Sequence, residues 1–290
     1  MRLKKSLMIS AVVTASILAL GACASGTNEP AASPSVAQSP EFEAGTTMAA
    51  LHDAGTMTIG TKFDQPLFGL KGPDNKPVGF DVEIGKIIAG ALGIAPDKIK
   101  WVETVSANRE PFIENGTVDI VVATYTINDK RKEVVSFAGP YYNAGQDILV
   151  LKGNPEKIKG PEDLKGKNVC SVAGSTSEKN IQPYGVNLIT TDTYSNCLEP
   201  LRSGKVIAVT TDNVILAGLA DQNAGEFEVL GDPFTEEPYG IGLKKDDTAF
   251  RTFINDTLEK SYKDGTWKKA WEDTAGKVLK TPTPPAVDRY

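Results

Sequence analysis

The 290-residue sequence predicts an α/β protein of about two domains, and three observations carry that prediction. Past Thr46, short β-rich runs alternate with helical stretches, as in sheets whose strands are joined by crossover helices. One stretch has a clean helical face, with Ile84, Ile87, Ile88, Ala91 and Leu92 at i, i+3, i+4, i+7 and i+8 and Gly93 where a C-terminal cap belongs. The composition, 40% hydrophobic and 23% charged, suffices for a core and excludes collagen, coiled coil and wholesale disorder.

The first element is an export signal. Arg2, Lys4 and Lys5 precede an apolar run from Leu7 to Leu20, the length of a secretory h-region and too short for a spanning helix. Leu20-Gly21-Ala22-Cys23 then resembles the lipobox of bacterial lipoproteins, which implies that Cys23 becomes the lipidated first residue. Removing residues 1–22 takes three of the 31 basic residues, leaving 28 against 37 acidic ones, a net charge of -9. Neither nucleic acid nor an anionic lipid surface is favoured by that balance. Residues 23–45, rich in Ala, Ser, Pro and Thr, read as a flexible tether. An exported chain oxidises its thiols, and with Cys23 modified only Cys170 and Cys197 remain to form a disulfide.

Strands are expected at Met57–Gly60, Ile99–Glu103, Val118–Ala123, Ile148–Leu151, Asn168–Val172, Asn187–Thr190, Val206–Thr210 and Tyr239–Leu243. The alternation with helices points to mostly parallel sheets, which bind ligands beyond the carboxyl ends of their strands. Three exits are rich in polar groups. One runs from Ala123 through Thr124, Thr126 and Asn128 to Arg131, one from Val172 into Gly174-Ser-Thr176, and one from Thr210 into Thr211-Asp212.

These exits, in this order, resemble the polar amino acid-binding proteins of bacterial ABC importers, solute-binding family three. The likeness covers nearly all of residues 57 to 275 and includes Lys76-Pro-Val-Gly-Phe-Asp-Val-Glu83, Asn115-Gly-Thr-Val-Asp119, Gly139-Pro-Tyr-Tyr142, Glu162-Asp-Leu-Lys-Gly-Lys167 and Glu237-Pro-Tyr-Gly-Ile-Gly242. It implies two α/β lobes, a periplasmic-binding-protein-like fold of type II, joined by two crossover hinge strands with the ligand held between them. Lobe one would comprise residues 46–146 plus 236–276 and lobe two residues 147–235, with a C-terminal tail at 277–290. The resemblance implies a monomer without cofactor or metal that binds an amino acid, docks on the membrane subunits of an ABC permease and is held at the outer face of the cell membrane.

An amino acid zwitterion needs donors for its carboxylate and an acidic acceptor for its ammonium. If Asn128 is an N-cap, Arg131 lies in the first turn of a helix, where a cation opposes the macrodipole and a bound anion relieves it. Position alone leaves a solvated arginine, balanced by Asp129 and Glu133, equally open. The resemblance gives Arg131 the α-carboxylate, with Thr126 adding a hydroxyl and a backbone donor and Thr124 a carbonyl for the ammonium. Ser175-Thr-Ser-Glu178 reads as a capping box, and Thr176 aligns with the position whose N–H meets the carboxylate. Relatives often carry Gly there. Spacing alone makes Asp212 a helix cap, whereas the resemblance gives it the ammonium.

Side-chain choice falls to two further cations. Lys62 stands where glutamine and cationic amino acid binders commonly carry Asp, and Ser106-Ala-Asn-Arg109 before Pro111 resembles the Ser-x-Asn-Arg-x-Pro stretch of glutamate/aspartate binders, whose arginine contacts the ligand. Together they imply L-glutamate or aspartate as cargo; glutamine or another polar amino acid is the alternative. The same fold also serves a cyclohexadienyl dehydratase-like lyase, and the tether would suit a sensor subunit. Enzyme chemistry finds little else. No GxxxxGK[ST] or GxSxG occurs, no CxxC is present, and the single histidine, His52, leaves no triad.

Overall fold

The computed structural model describes residues 35–290. The expected signal at 1–22 and Cys23 lie outside the described residues. In chain order the elements are α1 (Thr47–Ala54), β1 (Met57–Thr61), β2 (Asp64–Gln65), β3 (Gly69–Lys71), β4 (Pro77–Val78), α2 (Phe80–Ala91), β5 (Ile99–Glu103), α3 (Arg109–Glu114), β6 (Ile120–Val121), α4 (Asp129–Lys132) and β7 (Ser136–Ala144). There follow β8 (Gln146–Leu151), β9 (Asn168–Val172), α5 (Thr176–Ile181), β10 (Asn187–Thr191), α6 (Leu198–Arg202), β11 (Ala208–Asp212), α7 (Asn213–Gln222), β12 (Phe227–Val229), β13 (Glu237–Leu243), α8 (Thr248–Asp264) and α9 (Thr266–Asp273).

The strands form two sheets of five, ordered β5-β1-β6-β13-β7 and β10-β9-β11-β8-β12, and a small antiparallel sheet β2-β3-β4. Each large sheet, with its helices, is one lobe. The chain leaves the first sheet at Ala144, enters the second at Gln146, and returns between Val229 and Glu237. Both large sheets are mixed, which corrects the expectation of mostly parallel pairing. β1 pairs in parallel with β5 and β6, and β9 with β10 and β11, but β13 runs antiparallel to β6 and β7, and β8 antiparallel to β11 and β12. The strands that carry the chain between lobes cannot share the direction set by the crossover helices.

The long strand β7 was not expected. Its Gly139-Pro140 pair reads as a turn in sequence, yet the segment holds an antiparallel register with β13 on both sides of an irregularity between Tyr239 and Ile241. The helical face of α2 is buried at Ile84, Ile87 and Ile88, and Gly93, at φ 79°, takes the left-handed conformation beyond its end. Burying three such side chains contributes on the order of 5 kcal/mol.

Next to the crossover the core becomes aromatic. Trp271 stacks on Tyr142 of β7 at 5.0 Å between centroids, and Phe68 meets Tyr142, Tyr239 and Trp271 edge-on. Cys170 of β9 is bonded to Cys197, closing a loop of 27 residues, which contributes about 3 kcal/mol in the chain-entropy model.

Residues 35–45, expected as the end of a tether, are packed on lobe one. The Ala37 N–H donates to the Gly90 carbonyl at 2.8 Å, and Phe42 meets His52 and Phe253 at 5.7 and 5.6 Å. Phe42 has apolar area to bury, which the Ala/Ser/Pro composition around it conceals. The segment after Lys277 is likewise docked. The Asp288 N–H donates to the Gly139 carbonyl at 2.7 Å, and the Tyr290 hydroxyl accepts from the Phe137 N–H at 2.8 Å.

Candidate functional site

The strand exits of the two large sheets face each other across a narrow cleft. Lobe one contributes Ser106, Arg109 and Thr124 to its lining; lobe two contributes Ser175, Thr176, Tyr194 and Asp212.

Asp212 ends β11 and occupies the N-cap position of α7, but its side chain makes no capping bond, so the helix-cap reading fails. The Tyr239 hydroxyl donates to its Oδ2 at 2.6 Å, and its Oδ1 is buried with no partner among the described residues. Burial, followed by repulsion from the Glu237 carboxylate, pushes Asp212 up to about 7. A cation at Oδ1 would restore the charged form, because an unpaired buried carboxylate is costly.

The opposite face is positive. Arg109, 3% exposed, is anchored by backbone carbonyls: Nε donates to Ser106 O at 3.2 Å, and Nη1 reaches the carbonyls of Ala123 and Thr124 at 3.4 Å. Lys62, also 3% exposed, donates from Nζ to the Ser106 hydroxyl at 2.9 Å. It forms no ion pair among the described residues. Burial and then the Arg109 charge bring it down to about 7. Because Ser106 Oγ accepts from Lys62, its own O–H is free to donate toward the cleft. Neither cation is the solvated surface residue that composition alone allows.

Arg131 lies beside the cavity. Asn128 caps α4, its side chain accepting from the Arg131 N–H at 2.9 Å, which sets the arginine in the first turn. Its Nη1 donates to the Thr126 carbonyl at 2.7 Å, Nη2 to the Gly174 carbonyl of lobe two at 3.3 Å, and Nε pairs with Glu110 at 3.1 Å. Glu110 therefore balances it, rather than Asp129 or Glu133. Burial, then Arg109, lowers Arg131 to about 10. The Tyr125 ring lies 4.3 Å from the Arg109 guanidinium and 4.9 Å from that of Arg131, so cation–π attraction helps hold the two like charges.

Sequence reasoning did not single out Asp81. In the first turn of α2, where a negative charge suits the helix dipole, its Oδ2 accepts from the Thr124 N–H at 2.8 Å and its Oδ1 from the Tyr141 hydroxyl at 2.7 Å. The first bond holds Thr124 at φ 44°, left-handed for a residue with a branched side chain, which presents its carbonyl to Arg109. Burial raises Asp81 to about 7.

In lobe two the Ser175 hydroxyl accepts from the Glu178 N–H at 2.9 Å, as the capping box requires, but Glu178 reaches back to the Gly174 N–H at 2.7 Å rather than to that of Ser175. The Thr176 hydroxyl donates to Glu237 at 2.7 Å and lies 3.5 Å from the hydroxyl of Thr126 across the cleft.

Of the seven residues expected from sequence, Arg109, Thr124, Thr176 and Asp212 line the enclosed cavity. Lys62 stands one hydrogen bond behind it, and Thr126 and Arg131 flank it. Tyr194, which also lines it, carried no sequence signal. Among the described residues no cluster of metal-ligating side chains occurs and no helix is long and apolar enough to cross a membrane.

Residues 57–274 match the model of bacterial extracellular solute-binding proteins, family 3. The glutamate-binding protein GluB of Corynebacterium glutamicum is 44% identical over 236 residues, 77% of this chain and 79% of that protein. The ABC transporter glutamine-binding protein GlnH of Bacillus subtilis is 38% identical over 275 residues, 93% of this chain and 97% of that one. Among solved structures, an ancestral arginine-binding protein bound to glutamine superposes with a TM-score of 0.71 at 38% identity, covering 76% of this chain and 97% of that one. The chain belongs to family 3 of the bacterial extracellular solute-binding proteins.

Proposed function

We propose that this member of family 3 captures a dicarboxylic amino acid, L-glutamate first and aspartate second, between its lobes and delivers it to the permease of an ABC importer. The observation that carries the reading is the pairing across the cleft of buried cations with a buried carboxylate whose Oδ1 lacks a partner. In this reading Asp212 and the Thr124 carbonyl take the ammonium, and Arg131 with the Thr126 donors and the Thr176 N–H takes the α-carboxylate. Arg109 and the Ser106 hydroxyl, oriented by Lys62, take the side-chain carboxylate. That arrangement favours an acid over an amide, because an amide NH2 turned toward these donors would leave buried groups unpaired.

Relatives named for glutamate and for glutamine both match the chain, so side-chain choice is the point to test. Calorimetric titration of ligand-stripped protein with glutamate, aspartate, glutamine and asparagine should give tightest binding for glutamate. A preference for glutamine would overturn the roles given to Lys62 and Arg109. We further propose that Cys23 is lipidated after export and holds the protein at the membrane. Intact-mass measurement of membrane-extracted protein should show an acylated chain beginning at Cys23, and an unmodified thiol would refute it.

A further inference from the structure

Both rims of the cleft carry contacts that no ligand-facing role explains. On one rim Asp64 of β2 turns its carboxylate to the backbone of lobe two, Oδ2 accepting from the Tyr194 N–H at 3.0 Å and the Ser195 N–H at 3.5 Å. On the other rim Glu237, 2% exposed where β13 enters lobe one, accepts from the Thr176 hydroxyl at 2.7 Å and from Asn180 Nδ2 at 2.9 Å, both on α5 of lobe two. Neither carboxylate lines the enclosed cavity, and neither forms an ion pair among the described residues. Hydrogen bonds to an ionised acceptor are the stronger kind, and these exist only when the lobes are together.

The backbones beside these rims are built for the same approach. Gly174, at φ 76°, packs on lobe one so closely that a Cβ there would lie 2.8 Å from Ala107 Cα. A Cβ at Gly218 of α7 would lie 2.4 Å from the Pro66 carbonyl oxygen, two residues from Asp64.

We propose that Asp64 and Glu237 are paired latches on opposite rims of the cleft, positioning residues that set the closed fraction of the protein from outside the cargo cavity. The proposal rests on the reading above only for where the cargo sits. Apparent affinity scales with the population of the binding-competent form, so weakening a latch lowers affinity for every cargo by one factor.

The test compares the full wild-type chain with Asp64→Ala, Glu237→Gln and their double variant. Asn180→Ala, which leaves Glu237 in place, is added in case the buried substitution impairs folding. Small-angle scattering is recorded without ligand and with saturating glutamate, and calorimetry gives Kd for glutamate and glutamine. Each variant should show a larger radius of gyration without ligand, an unchanged radius at saturation, and both Kd values raised by about tenfold, with their ratio constant in Glu237→Gln and Asn180→Ala. Unchanged ligand-free scattering, unchanged Kd values or a shifted ratio in Glu237→Gln or Asn180→Ala would overturn the latch. If the wild-type chain bound neither amino acid, the cargo reading would fail, while ligand-free scattering of the variants would still decide the latch.

Discussion

The two faces of the cleft differ more in chemistry than in architecture. Each comes from the strand exits of a mixed five-stranded sheet, yet lobe one presents Lys62, Arg109 and Arg131, whereas lobe two presents hydroxyls and a single carboxylate, Asp212. A chain with a net charge of -6 thus offers a locally positive surface. Groups in contact with a cargo in a closed cleft are screened far less than charges beyond a Debye length of about 8 Å, so the local sign outweighs the net charge there. The split also means that neither face alone neutralises a dicarboxylic zwitterion. Lobe one tolerates its crowded cations because backbone carbonyls, Glu110 and the Tyr125 ring surround them, and lobe two leaves Asp212 half-satisfied.

The most drastic way to break this contrast is Arg131→Ala, which should reduce affinity for all amino acids by about two to nearly four orders of magnitude, since a buried carboxylate left without its partner costs roughly 3–5 kcal/mol. Calorimetry with glutamate and glutamine checks it, and a loss confined to one ligand would refute the shared role.

Asp212→Asn should cost about a hundredfold for both ligands. The same change should raise the ligand-free melting temperature at pH 8. The Asp212 carboxyl sits at about 7 against an ordinary 3.8, so its contribution to stability is lost as pH rises between those values, and the gain from asparagine should vanish near pH 4. Scanning calorimetry at the two pH values reads both limbs.

Replacing Cys170 and Cys197 by serine removes a constraint that only lobe two possesses, and should destabilise the protein by about 3 kcal/mol in denaturant titration. Cargo selectivity should stay constant, because the groups proposed to select an acid belong to lobe one.

Lys62→Met sharpens the contrast within lobe one. Glutamate affinity should fall about tenfold while glutamine affinity holds. Equal losses would place Lys62 outside side-chain choice.

The smallest effect is in pH dependence. Lys62 stands at about 7 and a cargo carboxylate would raise it, so glutamate binding takes up a proton above pH 7 and weakens as pH rises. Asp212 also stands at about 7 and a cargo ammonium would lower it, so binding of either amino acid releases a proton and weakens below pH 7. Glutamate should give a bell-shaped profile and glutamine only the acid limb, with slopes up to about tenfold per pH unit. A matching alkaline limb for glutamine would remove the distinction.

Much of this site was legible because its residues sit at strand exits with local signatures. Asn128 is a cap readable from the next three residues, and Ser175 to Glu178 form a capping pattern that the fold keeps with a shifted donor. What stayed hidden depends on partners distant in sequence. Asp81 looks like an ordinary first-turn acid until Thr124, 43 residues on, donates to it. Glu110 and Arg131 meet only because α3 and α4 converge beside Tyr125. Likewise β7 was obscured by Gly139-Pro140, since a turn dipeptide inside a strand defeats any reading by alternation. Mixed pairing was hidden because alternating strands and helices give the order of elements and not the direction of a strand returning from another lobe.

The aromatic stack at the crossover has a practical consequence. Trp271 lies flat on Tyr142, two residues before β7 ends, and the same cluster includes Tyr239 of the returning strand through Phe68. A bend that displaces Tyr142 or Tyr239 would therefore alter the surroundings of an indole. Ultraviolet emission excited at the tryptophan edge should then follow the opening of the lobes, requiring neither dye nor tag.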